Sequence, residues 1–186
     1  MTETTLRLFV AVMPPEHVVE HLETVIEPMR AARPDLHWVA TPRLHVTVTF
    51  MPHVEPAVAD DLGAVVETAA ADLAPVRVSI AGSGRFDEHV LWAGLAGDLD
   101  GLATIASRVA SAVGAAGAGP EQRRTFRPHV SLARAAGRLD AHLGPLAEQL
   151  DAYAGPVWQV DELHLVRSHL GRVLRHETLA VLPLGG

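Results

Sequence analysis

The 186-residue chain contains no cysteine and no lysine, because all 15 of its basic residues are arginines. The absence of cysteine excludes disulfides, zinc–thiolate sites, iron–sulfur clusters and thiol nucleophiles. The absence of lysine excludes a Walker-type phosphate lysine, a Schiff-base lysine and a lysyl-adenylate mechanism within this chain. Any phosphate group that the chain binds must therefore be met by arginine, whose planar guanidinium contacts two oxygens at once.

Positive charge and long apolar runs are also scarce. The net charge is -7 and the pI is near 5.8, so no global positive field attracts a long nucleic acid, and such a substrate would be met at a local site such as a strand end. No apolar stretch approaches the ~20 residues that span a membrane, and Met1-Thr2-Glu3 lacks the basic start of a signal peptide. We expect a soluble, cytoplasmic protein without membrane contacts.

Two short segments of the chain repeat one pattern, His45-Val46-Thr47 and His129-Val130-Ser131. Each lies in an alternating run, and in a strand residues i and i+2 project from the same face. The histidine and the hydroxyl residue of each motif would therefore share a face, with the valine turned away. Imidazoles exchange protons near neutral pH and hydroxyls hydrogen-bond phosphoryl oxygens, so two such pairs facing one cleft suit the reaction of a phosphate ester.

Periodicity predicts an alternation of helices and paired strands. Helical spacing of apolar residues predicts helices at Glu16–Ala32, Val58–Leu73, Leu99–Val113 and Leu139–Tyr153. Alternating or β-branched runs predict strands at Arg7–Met13, Leu36–Val39, Leu44–Phe50, Val76–Ala81, Val90–Leu95, Arg127–Ala133, Val157–Arg167 and Arg172–Leu182, with Gly82-Ser83-Gly84 ending the fourth. This order implies an α/β sandwich with helices outside. The motifs lie 84 residues apart, close to half the chain length, which indicates a loose internal duplication.

The segments that flank the motifs carry a family resemblance. They are Arg7–Ala11 with Pro14-Pro15, Trp38 with Arg43–Phe50, Phe126–Arg134, and Leu163–Ser168 with Leu182-Pro183-Leu184. A single H-x-[ST] triplet carries little information, whereas two of them in these surroundings are specific. Over nearly its whole length the chain resembles the two-histidine (2H) phosphoesterase superfamily, and within it the LigT/ThpR-type RNA 2',3'-cyclic phosphodiesterases.

The resemblance implies an α+β fold in a single bilobal domain over residues 1–186. Two mainly antiparallel sheets would face a central cleft with helices outside, related by a pseudo-twofold duplication. Members of the family convert RNA 2',3'-cyclic phosphate ends to 2'-phosphates without a metal or other cofactor. Some also join tRNA halves through a 2'–5' bond, which makes tRNA processing a possible role.

The resemblance also assigns roles to the motif residues. His45 would be the general acid and His129 the general base. Thr47 and Ser131 would hydrogen-bond the phosphate, and Arg134 would neutralise it. Opening a cyclic phosphate needs in-line attack by water and protonation of the opposite oxygen, and each imidazole typically contributes ~10²–10⁴-fold. Since one imidazole must be charged and the other neutral, the pair predicts a bell-shaped dependence of rate on pH.

Three departures from the family pattern concern the surroundings of the motifs. Ser131 replaces the commoner threonine but keeps the hydroxyl. Thr49 stands where a lysine is often found, and Met51-Pro52-His53 replaces a leucine-glycine turn. These changes remove one positive charge near the cleft and alter the loop beside it, so they leave the substrate preference open.

Several alternatives stay open at this point. The substrate could be an RNA 3' end, a small cyclic nucleotide or an ADP-ribose cyclic phosphate. A non-catalytic module that binds RNA ends would lose little when His45 or His129 is replaced by alanine, whereas the enzyme would lose hydrolysis. A histidine-rich metal protein would lose activity or stability in EDTA, and we expect neither loss. We also expect no metal ligands. We expect the protein to be a monomer.

Overall fold

The helices form where apolar residues recur at helical spacing. In the computed structural model, which describes residues 5–121, 125–135 and 142–185, Val18, Leu22, Ile26 and Met29 make one buried stripe on the first helix. In chain order the helices are α1 (Glu16–Ala32), α2 (Pro56–Ala59), α3 (Leu62–Ala70), α4 (Leu99–Ala115) and α5 (Gly144–Asp151), with a 3-10 turn at Thr41–Arg43. The bounds predicted for α1 are confirmed.

Two predicted helices differ from those of the structure. The helix predicted at Val58–Leu73 is divided into α2 and α3 at Asp60 and Asp61, because aspartate side chains favour helix ends over helix interiors. The helix predicted at Leu139–Tyr153 begins only at Gly144, since the φ of 44° at His142 is incompatible with a right-handed helix. The predicted helical residues 139–141 lie outside the described residues.

The strands of the described residues build one antiparallel sheet. They are β1 (Leu6–Val12), β2 (Leu36–Trp38), β3 (Val46–Val54), β4 (Val76–Phe86), β5 (Val90–Gly97), β6 (His129–Ala135), β7 (Ala154–Val160), β8 (Glu162–His169) and β9 (Arg175–Pro183). Their order is β7-β4-β5-β6-β3-β1-β8-β9, and β2 pairs with β6. The α+β class is confirmed.

The two predicted sheets are the two halves of this one sheet. They meet where β3 pairs with β6, through the single residue pair Val46 and Val130. Each half contributes four strands to the main path, and helices α1, α3, α4 and α5 pack against β7, β9, β3 and β4. The halves of the sheet are not the halves of the chain, because the N-terminal strands β1 and β3 join the C-terminal strands β8 and β9.

Three strand predictions need correction. Gly82-Ser83-Gly84 does not end β4: Gly82, with a φ of 66°, lies at a register shift against β5, and a Cβ on Gly84 would overlap the Trp92 ring. The strand predicted at Val157–Arg167 is β7 and β8, since the chain crosses at Asp161 from one half of the sheet to the other. The last strand begins at Arg175, three residues later than predicted.

The core lies between the helices and the sheet, and a smaller apolar cluster lies apart from it. Phe9, Ala11 and Val166 form this second cluster, with Met13 and Phe50 packed against them. It brings an aromatic ring of β1 beside the first histidine motif. No helix among the described residues is long and apolar enough to cross a membrane.

Candidate active site

The contact between β3 and β6 brings the two histidine motifs together. Val46 and Val130 pair directly and are fully buried. Because the strands are antiparallel, this register directs His45 toward the side of Ser131, and Thr47 toward the side of His129. The two motifs are thus related by a local twofold arrangement around the valine pair.

All five residues predicted for the site line one cavity of about 540 Å³. They are His45, Thr47, His129, Ser131 and Arg134. Four of them flank the valine pair, and Arg134 follows on β6, which places it further along the same wall. The structure thus brings together the residues that strand alternation and the family resemblance singled out.

Both motif histidines are held by the same hydrogen bond. Nδ1 of His45 donates to the carbonyl oxygen of Arg43 at 2.7 Å, and Nδ1 of His129 donates to the carbonyl oxygen of Arg127 at 2.7 Å. A carbonyl oxygen only accepts, so each Nδ1 carries a proton. Nε2 is then the atom that takes up or releases a proton in each ring.

His45 lies in an aromatic setting. Its ring stacks on Phe9 with centroids 4.8 Å apart and an interplanar angle of 26°, and His176 approaches it edge-on at 5.5 Å. Burial lowers the pKa of His45 to about 4, since it disfavours the charged imidazolium. The hydrogen bond to Arg43 opposes this effect, while the positive charges of His176, His129 and Arg134 add to it. His45 is therefore neutral at pH 7 in the empty cleft.

His129 lies in a different setting although its motif is the same. Phe86 meets its ring edge-on, at 4.9 Å and 82°, and Trp92 lies 5.9 Å away. The guanidinium of Arg127 lies 6.0 Å from the Trp92 ring. His129 thus meets Phe86 edge-on and Trp92 at a tilt, whereas His45 has Phe9 stacked on its face.

The cavity is rich in arginine although the chain as a whole is acidic. Arg7, Arg43 and Arg134 line it, and Glu121 is the one acidic residue among its described lining. The field at the site is thus opposite in sign to the net charge of -7. A phosphate ester is the kind of ligand that such a cleft attracts.

Sequence reasoning gave no role to several residues that line the cavity. Arg7 lies two residues before Phe9 on β1, so strand alternation could have placed it on the same face, whereas Arg43 lies in the 3-10 turn, where that alternation does not apply. No comparable signal exists for His176. Its position depends on its pairing with Ser168 across the β8–β9 hairpin.

Two further histidines show that the residue type alone does not indicate whether a side chain lines the cavity. His164 binds Glu162 at 3.0 Å and is absent from the described lining, whereas its neighbour Ser168 lines the cavity. His21 places Nδ1 3.0 Å from the Tyr153 hydroxyl. Within residues 5–121, 125–135 and 142–185, no three histidine, aspartate or glutamate side chains are grouped so as to hold a metal ion.

The antiparallel fold with two histidine–hydroxyl motifs at its centre defines a protein of the 2H phosphoesterase class. The family model of the 2'-5' RNA ligase superfamily matches residues 14–172. The chain therefore belongs to the 2'-5' RNA ligase superfamily.

Comparison with known proteins agrees with this assignment. Over 153 residues the chain is 29% identical to an RNA 2',3'-cyclic phosphodiesterase of Geobacillus stearothermophilus, and the match covers 80% of this chain. It covers 48% of that relative, so the chain spans about half its length.

Two solved structures share the fold over nearly their whole length. E. coli LigT complexed with 3'-AMP is similar with a TM-score of 0.71 at 21% identity, covering 97% of this chain and 98% of that one. The protein TT0787 of Thermus thermophilus is similar with a TM-score of 0.77 at 25% identity, covering 96% and 98%. The fold predicted from the resemblance is thereby confirmed.

Proposed function

We propose that this protein hydrolyses 2',3'-cyclic phosphates at RNA ends to 2'-phosphates, using the two histidines and no metal ion. The observation that carries the proposal is the pairing of two imidazoles in one arginine-rich cavity, each oriented by the same Nδ1 hydrogen bond. The superfamily and the phosphodiesterase relative support this chemistry. One chain holds both motifs, so we also propose that the monomer is active.

In the proposed reaction, water attacks phosphorus and the bond from phosphorus to the ribose 3' oxygen breaks. His129 accepts the proton of the attacking water, and His45 donates a proton to the leaving oxygen. Thr47 and Ser131 donate hydrogen bonds to the remaining phosphoryl oxygens, and Arg134 neutralises their charge. The same steps, with a ribose 5' hydroxyl attacking phosphorus in place of water, would form a 2'–5' bond, and the reverse of those steps would break it.

The pKa of His45 bears on the assignment of acid and base. A general acid must carry a proton, and burial lowers the pKa of His45 to about 4 in the empty cleft. An anionic phosphate bound beside the ring raises that pKa, since it favours the charged imidazolium. The proposed assignment therefore has His45 protonated only once substrate is bound. The low pKa of His45 favours a second candidate assignment, in which His45 is the general base and His129 is the general acid.

Product analysis tests the reaction itself. The protein is incubated with an oligonucleotide that ends in a 2',3'-cyclic phosphate, and 31P NMR identifies the phosphate position. We expect a 2'-phosphate, formed equally well in EDTA. His45→Ala and His129→Ala should each abolish most of this activity, and His17→Ala, on the exposed side of α1, serves as the control. Binding of the RNA end without hydrolysis would instead identify a non-catalytic binding module.

The choice of leaving group tests the roles of the two histidines. An aryl phosphodiester with a nitrophenolate leaving group needs no proton on the departing oxygen, so loss of the general acid matters less. If His45 is the acid, His45→Ala should retain a much larger share of wild-type activity on the aryl diester than on the cyclic phosphate. His129→Ala should lose activity on both. The opposite pattern would establish the reverse assignment.

A small cyclic nucleotide is the second candidate substrate. The cavity of about 540 Å³ lies in the size range of pockets that enclose a single small ligand. E. coli LigT, whose fold this chain shares, has been crystallised with the mononucleotide 3'-AMP. The two substrates are distinguished by comparing kcat/KM for a cyclic mononucleotide with that for a cyclic-phosphate-ended RNA.

A further inference from the structure

Arg7 lies in the cleft without a part in the proposed chemistry. It precedes Phe9 by two residues on β1, so both side chains leave the same face of the strand, and both line the cavity. The Arg7 guanidinium carbon lies 4.8 Å from the centroid of the Phe50 ring. This contact holds the guanidinium against an aromatic ring that also lines the cavity.

One donor of Arg7 lacks an acceptor among the described residues. Its Nε is buried and has no hydrogen-bond partner. Within the described ranges, no carboxylate forms an ion pair with Arg7 and no side-chain hydrogen bond involves it, although Glu121 lines the same cavity. A buried charged donor without an acceptor is costly, and native proteins rarely leave one unexplained. A ligand that brings an anionic oxygen to this position would supply the missing acceptor.

The place of Arg7 on β1 sets it apart from the residue that contacts His45. The ring of Phe9 stacks on His45, and Arg7 lies two residues further along β1, which is about 7 Å at the rise of a strand. The charge of Arg134, in contrast, reaches His45. Among the arginines that line the cleft, Arg134 thus acts on His45, whereas Arg7 is offset along β1, by roughly the length of one nucleotide step, from the residue that stacks on His45.

From this spacing we infer that Arg7 binds a second phosphate of the substrate, the phosphodiester immediately 5' of the terminal nucleoside. The inference rests on the proposed function and names its substrate class. A mononucleoside cyclic phosphate lacks this group, whereas every RNA chain with a cyclic end carries it. Arg7 would thus make the site selective for RNA ends over small cyclic nucleotides.

The test compares two substrates that differ in the second phosphate. One is a dinucleotide with a 2',3'-cyclic phosphate end, and the other is the corresponding cyclic mononucleotide. The wild-type protein should prefer the dinucleotide in kcat/KM by about ten- to hundredfold, the usual effect of a hydrogen bond to a charged group. Arg7→Met retains the apolar contact with Phe50 and removes the charge, and it should reduce this preference to less than about threefold.

Two matched controls keep the test independent of folding. Arg77→Met removes an equal charge from an exposed position on β4 and should keep the preference. A dinucleotide whose internal linkage is an uncharged methylphosphonate should lose the preference in the wild-type protein, without any variant. The wild type and Arg7→Met should hydrolyse that substrate with similar kcat/KM, because it offers no second charge for Arg7 to bind.

The outcomes separate this inference from the proposed function. A preference that persists in Arg7→Met, or with the methylphosphonate, overturns the role of Arg7 and leaves the hydrolysis proposal standing. Failure of the wild-type protein to hydrolyse either cyclic phosphate overturns both. A preference lost in both the variant and the modified substrate, and kept in Arg77→Met, establishes Arg7 as the residue that binds the second phosphate.

Discussion

His45 and His129 occupy equivalent places in the two halves of the sheet, yet their surroundings differ. Nδ1 of each ring donates to the carbonyl oxygen two residues earlier, at 2.7 Å. His45 stacks face to face on Phe9, whereas His129 meets Phe86 edge-on. The motif thus fixes the orientation of the imidazole, and the neighbouring strands set how readily it takes up a proton.

The neighbouring strands explain the difference. Beside β6, the residue that pairs with His129 is Gly94 of β5, which has no side chain to cover the ring. Beside β3, strand β1 brings Phe9 onto the face of His45, and His176 of β9 covers it further. Related sequences in two halves of one sheet therefore acquire different aromatic surroundings.

Among the changes considered, removal of either imidazole should have the largest effect on kcat/KM. His45→Ala and His129→Ala should each lower kcat/KM for a cyclic phosphate by about 10²–10⁴-fold, the usual contribution of general acid–base catalysis. Because the two histidines act as a unit, the double variant should lose little more than the worse single variant. Steady-state kinetics measure this, and a single variant that keeps a tenth of the activity would contradict the paired mechanism.

The stability of the protein in acid should distinguish the two histidines. The pKa of His45 is about 4 in the folded protein against 6.5 for an exposed imidazole, so the unfolded chain binds more protons between these values. Stability contributed by neutral His45 is therefore present above pH 6.5 and is lost as the pH falls toward 4. Between about pH 7 and pH 4 the wild type should lose about 2–3 kcal/mol more free energy of unfolding than His45→Gln.

Urea unfolding at a series of pH values measures this difference. His129→Gln is the matched variant; because it keeps His45, it should keep the part of the pH dependence that His45 contributes. Equal slopes for His45→Gln and the wild type would mean that burial does not lower the pKa of His45 in solution.

The two motif hydroxyls should have a smaller effect than the imidazoles. Thr47→Val keeps the shape of the side chain and Ser131→Ala removes one oxygen, so each deletes a hydroxyl that we propose as a donor to the phosphate. Each should lower kcat/KM by about ten- to hundredfold, as expected for a hydrogen bond to a charged group. Thr49→Val, at a buried position of β3 outside the described cavity lining, is the control and should leave kcat unchanged. A loss in Thr49→Val equal to that in Thr47→Val would indicate damage to β3 rather than to the site.

Local periodicity accounts for what could be predicted. The apolar stripe of α1 gave its bounds, and alternation along β3 and β6 gave the residues that share a face with His45 and His129. These features depend only on residues a few positions apart. That the motifs lie together also followed, through the family resemblance.

Features that depend on distant pairing could not be predicted. The alternation at Val157–Arg167 continues across Asp161, although the chain passes there from one half of the sheet to the other. His176 reaches the cleft only through the register of the β8–β9 hairpin. Gly82 and Gly84 indicated a strand end. In the structure, Gly82 instead lies at a bulge of β4, and Gly84 leaves room for the Trp92 ring.

The smallest expected effect concerns the aromatic ring that contacts His45 and the pKa of that histidine. Phe9→Leu removes the ring that stacks on His45 and admits water to that face. Solvation of the imidazolium should outweigh the lost ring contact, since burial is already the dominant influence on this group. The pKa of His45 should therefore rise toward the 6.5 of an exposed imidazole.

NMR titration of the imidazole C–H signals measures this change directly. Phe86→Leu is the matched variant, because Phe86 contacts His129 and not His45, so it should leave the pKa of His45 where it is. A fall in the pKa of His45 in Phe9→Leu would show that attraction between the imidazolium and the ring exceeds the effect of burial. The stacked ring of Phe9 would then raise the pKa of His45, whereas we expect burial against that ring to lower it.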